Sequence, residues 1–136
     1  MAISEVIAAL TLPGVERSAK HVRLFARDVL GEGHPSLGDV QTCVNEAFTN
    51  AVEHTASGRR GRVTVLFSVM DGDVVAEVAD DGAGGTRPVM RDDPLAEDGR
   101  GLRIIDALSL EWGVRPDGER TVVWMRFPGP PPLRLD

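Results

Sequence analysis

The chain has 136 residues, 42% of them hydrophobic, with a formal net charge of −6 and a pI near 5.0. That length fits one domain with one buried core and leaves no room for a second full domain. The acidic balance argues against a surface built to neutralise nucleic-acid phosphates, and no apolar run approaches the roughly 20 residues that span a bilayer.

Met1 to Glu5 carries no basic region followed by a long apolar stretch, so no signal peptide is indicated and a cytoplasmic location is expected. Residues 5–12 are apolar and β-tolerant and stop at Pro13-Gly14, which predicts a first strand. From Val15 to Leu30 the apolar positions Val15, Ala19, Val22, Phe25 and Val29 recur at three and four, the stripe of a helix. Gly31 to Pro35 ends it. A second helix is expected from Ser36, as N-cap, to about Ala56, with Leu37, Val40, Val44, Ala47, Phe48 and Ala51 facing inward.

Arg62 to Met70 and Val74 to Ala79 read as two strands joined by the tight turn Asp71-Gly72-Asp73. Gly82 to Asp98, rich in glycine, proline and charge, is expected to be a long surface loop. Gly101 to Leu110 reads as a short helix, and Glu111 to Arg115 and Arg120 to Phe127 as closing strands. Pro128 to Pro132 cannot extend a sheet, so residues 128–136 are expected to form a flexible, proline-rich tail behind a single domain of residues 1–127. Helices beside mainly antiparallel strands imply an α+β two-layer sandwich, with a mixed, mainly antiparallel sheet covered on one face.

Cys43 is the only cysteine, which excludes an intrachain disulfide and a cysteine-rich zinc site; among apolar residues it reads as a small core residue. Lys20 is the only lysine, against fourteen arginines. No Gly-Lys-[Ser/Thr] exists, so a Walker A phosphate loop is excluded.

Three segments carry the chemistry. Glu46, Asn50 and Glu53 fall at i, i+4 and i+7 on the second helix and share one face, roughly opposite the apolar stripe. Alone, that is also what a solvated helix face looks like. Asp80 ends a strand and precedes Asp81-Gly82-Ala83-Gly84, a pattern that is also a common turn. Gly99-Arg100-Gly101-Leu102 opens a predicted helix, so its amides and the positive helix end are directed at an anion above them.

In this order and spacing the segments resemble the asparagine box and two glycine boxes of the GHKL (histidine kinase-like) ATPases, over roughly residues 5–127. The Asn50-Ala51-Val52-Glu53-His54 form is similar to that of the anti-sigma-factor serine kinases. The resemblance implies the Bergerat ATP-binding fold, with ATP and Mg2+ as cofactors. It makes Glu46 the general base toward an attacking hydroxyl and Asn50 the magnesium ligand; a carboxylate accepts a proton, and an amide oxygen suits a hard cation. It places Asp80 on the adenine amino group, with Gly82 and Gly84 letting backbone run under the base. Gly99, Arg100, Gly101 and Leu102 would line the phosphates. Thr121 falls where the family has a strand residue near the nucleotide, although a β-favouring threonine explains it as well. His54 is divided between phosphate contact and a helix-end role.

Trp112 and Trp124 read as core or interface aromatics, and His21 as structural or surface. Beside the lids of the sensor kinases the segment between Gly84 and Gly99 is short and lacks their extra glycine-rich segment, and no dimerisation and phosphotransfer domain is expected, which sets the chain apart from a histidine kinase. The resemblance implies an ATP-dependent serine/threonine kinase and anti-sigma factor that binds a sigma factor and phosphorylates a small antagonist protein, with a homodimer and no direct contact with nucleic acid or membrane. The alternative is a catalytically silent module gated by ATP or ADP.

Overall fold

A computed structural model describes residues 4–54, 61–81 and 100–132. Strand β1 (Ser4–Pro13) is followed by a 3-10 turn (Glu16–Ser18) and helices α1 (Ala19–Leu30) and α2 (Leu37–His54). Then come β2 (Arg62–Met70), β3 (Asp73–Asp80), α3 (Arg100–Leu108), β4 (Glu111–Asp117) and β5 (Arg120–Phe127). The five strands form one sheet in the order β1-β2-β3-β5-β4, and every neighbouring pair is antiparallel.

The two-residue turn between β2 and β3 has Asp71 and Gly72 at φ 52° and 82°, the left-handed pair that matches strand twist in a tight hairpin. With Met70 set against Asp73, this turn fixes the β2–β3 register. Alternation then sends Val63, Val65 and Phe67 of β2, Val74, Ala76 and Val78 of β3, and Val123, Met125 and Phe127 of β5 to one face. Against it lie Val22 and Ala26 of α1, the α2 stripe Val40, Cys43, Val44, Ala47, Phe48 and Ala51, and Leu102 and Ile105 of α3. The helices thus cover one face of the sheet, as the two-layer reading expects. Phe25 of α1 meets Phe67 of β2 with ring centroids 5.4 Å apart.

Three local expectations change. The first helix begins as a 3-10 turn, because Val15 is extended and the Ser18 amide bonds back to its carbonyl; α-helical geometry starts only at Ala19. Ser36 does occupy the start of α2, its carbonyl accepting the Val40 amide, but its hydroxyl donates to the Pro128 carbonyl at 2.6 Å. The chain after β5 is anchored at its first residues: Pro128 by Ser36, and Gly129 by donating its amide to Asp73 Oδ1 at 3.2 Å. Asp73 also accepts from Arg126 Nε at 2.8 Å. A Cβ on Gly129 would collide with the Gly72 carbonyl oxygen, so only glycine fits there.

Trp112 packs on the core edge and its indole donates to Asp106 Oδ1 at 2.8 Å, tying β4 to α3. Trp124 lies on the uncovered face of the sheet, over Gly113, where an added Cβ would come within 2.7 Å of the indole. No helix among the described residues is long and apolar enough to cross a membrane.

Candidate nucleotide site

The functional candidates gather where the connectivity requires. Helix α2 runs toward His54, and a short connection returns the chain to β2 at Arg62, so the last turns of α2 lie at the end of the sheet where β2 begins. Antiparallel pairing makes that also the end where β3 finishes at Asp80 and β5 starts at Arg120. The ladder sets Asp80 directly against Thr121. Both side chains face the helical layer and are almost out of water, Asp80 at 3% and Thr121 at 1% exposed.

A buried carboxylate at a strand end is costly unless hydrogen-bonded, so this position is not an ordinary turn aspartate. Among the described residues no buried side-chain nitrogen or oxygen lacks a partner, and Asp80 is within that rule. Asp81, by contrast, is exposed and accepts the Arg62 amide on Oδ2 at 2.6 Å.

Glu46 and Asn50 are half-buried and Glu53 is exposed. The expected position opposite the apolar stripe is therefore only partly right: Glu46 and Asn50 lie on the flank of the buried stripe. The reason is that α2 packs on α1, on β3 and on α3 at once, which leaves few of its positions fully open. Cys43, one turn before Glu46, is fully buried, as expected of a core residue. Its thiol is pushed up to about 12, first by burial and then by the charges of Asp39 and Glu46, so it stays protonated.

His54 is the last residue of α2, and Arg100 and Gly101 open α3. Leu102 is 3% exposed and its side chain is part of the core, where it anchors that first turn. Gly82, Gly84 and Gly99 lie outside the described residues, as does the loop expected at 82–98. Among the described residues no three His, Cys, Asp or Glu side chains cluster as a metal cage. Glu46 and Asn50 together offer one carboxylate and one carboxamide, which suits a cation that draws its other ligands from phosphate and water.

One participant escaped the sequence reading. Arg120, next to Thr121, lies on the opposite face and reaches back to the end of β3: Nε donates to the Asp80 carbonyl at 3.3 Å, and Nη2 to the Ala79 carbonyl at 3.4 Å and to Thr64 Oγ1 at 3.2 Å. Strand alternation around Thr121 could have placed it on that face, though not its bonding partners.

Comparison with known proteins gives the family. Residues 12–127 match the family described as the histidine kinase-like ATPase domain. A serine-protein kinase RsbW from Bacillus licheniformis is 32% identical over 111 residues, which covers 72% of this chain and 69% of the relative. The RsbW of Bacillus subtilis is 28% identical over 110 residues, with the same coverage of 72% and 69%. The crystal structure of the RsbU and RsbW domains of a Mycobacterium tuberculosis protein superposes with a TM-score of 0.66 at 23% identity, over 96% of this chain. This chain spans only 35% of that longer one. By the match over residues 12–127 and its likeness to the RsbW kinases, the chain belongs to the histidine kinase-like ATPase family.

Proposed function

We propose that this chain binds Mg-ATP between α2 and the sheet end that carries Asp80 and Thr121, and acts as an anti-sigma-type serine protein kinase. In that role it holds a sigma factor and phosphorylates a serine on a small antagonist protein. The observation that supports it most is a carboxylate only 3% exposed, side by side with a buried threonine, at the end of a strand against which α2 packs. A buried acceptor at a strand end suits a flat base with an amino group, and the N-terminus of α3, which packs on α2, carries the positive helix end that suits phosphate. The likeness to RsbW serine-protein kinases supports the reaction class.

On this reading the chain's own groups divide the work. Asp80 accepts a hydrogen bond from the exocyclic amino group and sets base preference. Asn50 offers its amide oxygen to magnesium, which when bound neutralises charge on the phosphate oxygens. Glu46, four residues earlier on the same flank, takes the proton of the attacking serine hydroxyl. The remainder is positioning, which together with charge neutralisation accounts for most of the rate of phosphoryl transfer.

The test is a single-turnover assay with labelled ATP and a small antagonist-type protein, on wild type and Glu46→Gln. Wild type should transfer label to serine, and the variant should lose transfer by about two to four orders of magnitude while keeping its ATP affinity. Equal transfer by both proteins would remove Glu46 from the base role. Binding of ATP with no transfer by either would identify a nucleotide-gated binder instead of a kinase.

A further inference from the structure

The β2–β3 ladder stops at Thr64 and Ala79, one residue short of Asp80. Asp80 is paired with Thr121 on the β5 side. Two side chains bond this end of β3. Continuing the register would set Arg62 against Asp81, and there the Arg62 amide bonds the Asp81 carboxylate in place of a backbone carbonyl. Arg120 crosses the uncovered face of the sheet and ties the Ala79 and Asp80 carbonyls to Thr64 Oγ1, which in turn lies 2.8 Å from Thr11 Oγ1. The strap runs from β5 across β3 and β2 to β1.

We infer that Arg120 is a positioning residue for base recognition: by holding two successive carbonyls it fixes the peptide planes on either side of Asp80, and so the direction of its carboxylate. This rests on the assignment of Asp80 to the adenine amino group. A planar guanidinium with several donors can bridge successive carbonyls and a hydroxyl together, whereas an ammonium is a point donor. Each bond, at 3.2–3.4 Å, is long for its type, so the strap acts through their combination. Because Arg120 is on the face opposite the Asp80 side chain, it acts without touching the nucleotide. It should therefore affect the adenine amino contact and leave phosphate binding alone.

The experiment is calorimetric titration with ATP and with purine riboside triphosphate, which lacks the exocyclic amino group. It uses wild type, Asp80→Ala, Arg120→Met, which retains an apolar stem, and Arg120→Lys. Wild type should prefer ATP and Asp80→Ala should lose the preference. Arg120→Met should cut the preference at least about threefold through weaker ATP binding alone, with Arg120→Lys recovering part of it. An unchanged preference in Arg120→Met, or equal weakening of both nucleotides, would overturn the inference and leave the Asp80 assignment standing. Should wild type bind both equally, the Asp80 assignment itself falls. If Arg120→Met does not fold, Thr64→Val removes one anchor of the strap, and the same ratio should move by a smaller factor in the same direction; an unmoved ratio there overturns the inference.

Discussion

If Asp80 accepts the adenine amino group as proposed, Asp80→Asn should make the site permissive toward the base. The side chain is 3% exposed, so neither the carboxylate nor an incoming base can be rescued by bulk water. A hydrogen bond to a charged, buried acceptor contributes about 1.5–3 kcal/mol, which ATP gains and GTP forfeits, since guanine presents a carbonyl where adenine presents its amino group. Facing that carbonyl with a desolvated carboxylate costs GTP about 1–3 kcal/mol more. Wild type should then prefer ATP by on the order of 10²–10⁴. Asparagine has nearly the same shape, and its amide can turn to present either an acceptor or a donor, so the variant should bind both nucleotides within about tenfold. Competitive displacement of a fluorescent ATP analogue by ATP and GTP, with a thermal melt to verify folding, measures the ratio. A folded Asp80→Asn protein that keeps the wild-type preference would refute the reasoning.

Other outcomes follow from single contacts. With its thiol at about 12 against an ordinary value of 9.0, Cys43 should carry about a thousandfold less thiolate at pH 8 than an exposed cysteine, so a disulfide reagent should label it only after denaturation. The linkage has the matching sign. The unfolded thiol ionises from about pH 9 while the folded one holds its proton to about 12, so this group's contribution to stability is lost as pH rises through that window, visible in alkaline melts of wild type against Cys43→Ala. Gly129→Ala places a methyl against the Gly72 carbonyl and should cost about 1–3 kcal/mol or release the anchored segment. A lower Tm and faster exchange of the residue-129 amide would show it; wild-type values for both would contradict it.

Much of the scaffold was legible because it depends on local rules. The Asp71-Gly72 turn, the inward set of α2 and the alternation of β2, β3 and β5 each follow from spacing and turn chemistry within a few residues. The placement of the candidate residues was partly legible for the same reason: Asp80 sits at the last position of a strand and Asn50 one turn from Glu46. What could not be read depends on which distant elements meet. Ser36 looked like a helix cap, yet its hydroxyl is bonded 92 positions away, to Pro128. The tail looked untethered because Asp73, which holds the Gly129 amide, is 56 residues distant. Arg120 had no motif to mark it, since its partners lie on β2 and β3. The insertion of β5 between β3 and β4, which brings Thr121 beside Asp80, is likewise a matter of sheet order that no local pattern encodes.

On the proposed reading, the flank of α2 and the β3–β5 end form one nucleotide site. Amide chemical-shift mapping during titration with Mg-ATP tests it most directly. Glu46, Asn50, Asp80, Leu102 and Thr121 should shift together with one saturating affinity, while Val6 on β1 and Glu111 on β4 stay still. Saturating shifts centred on the uncovered sheet face around Trp124 and Arg115, or none on α2 and β3, would contradict it.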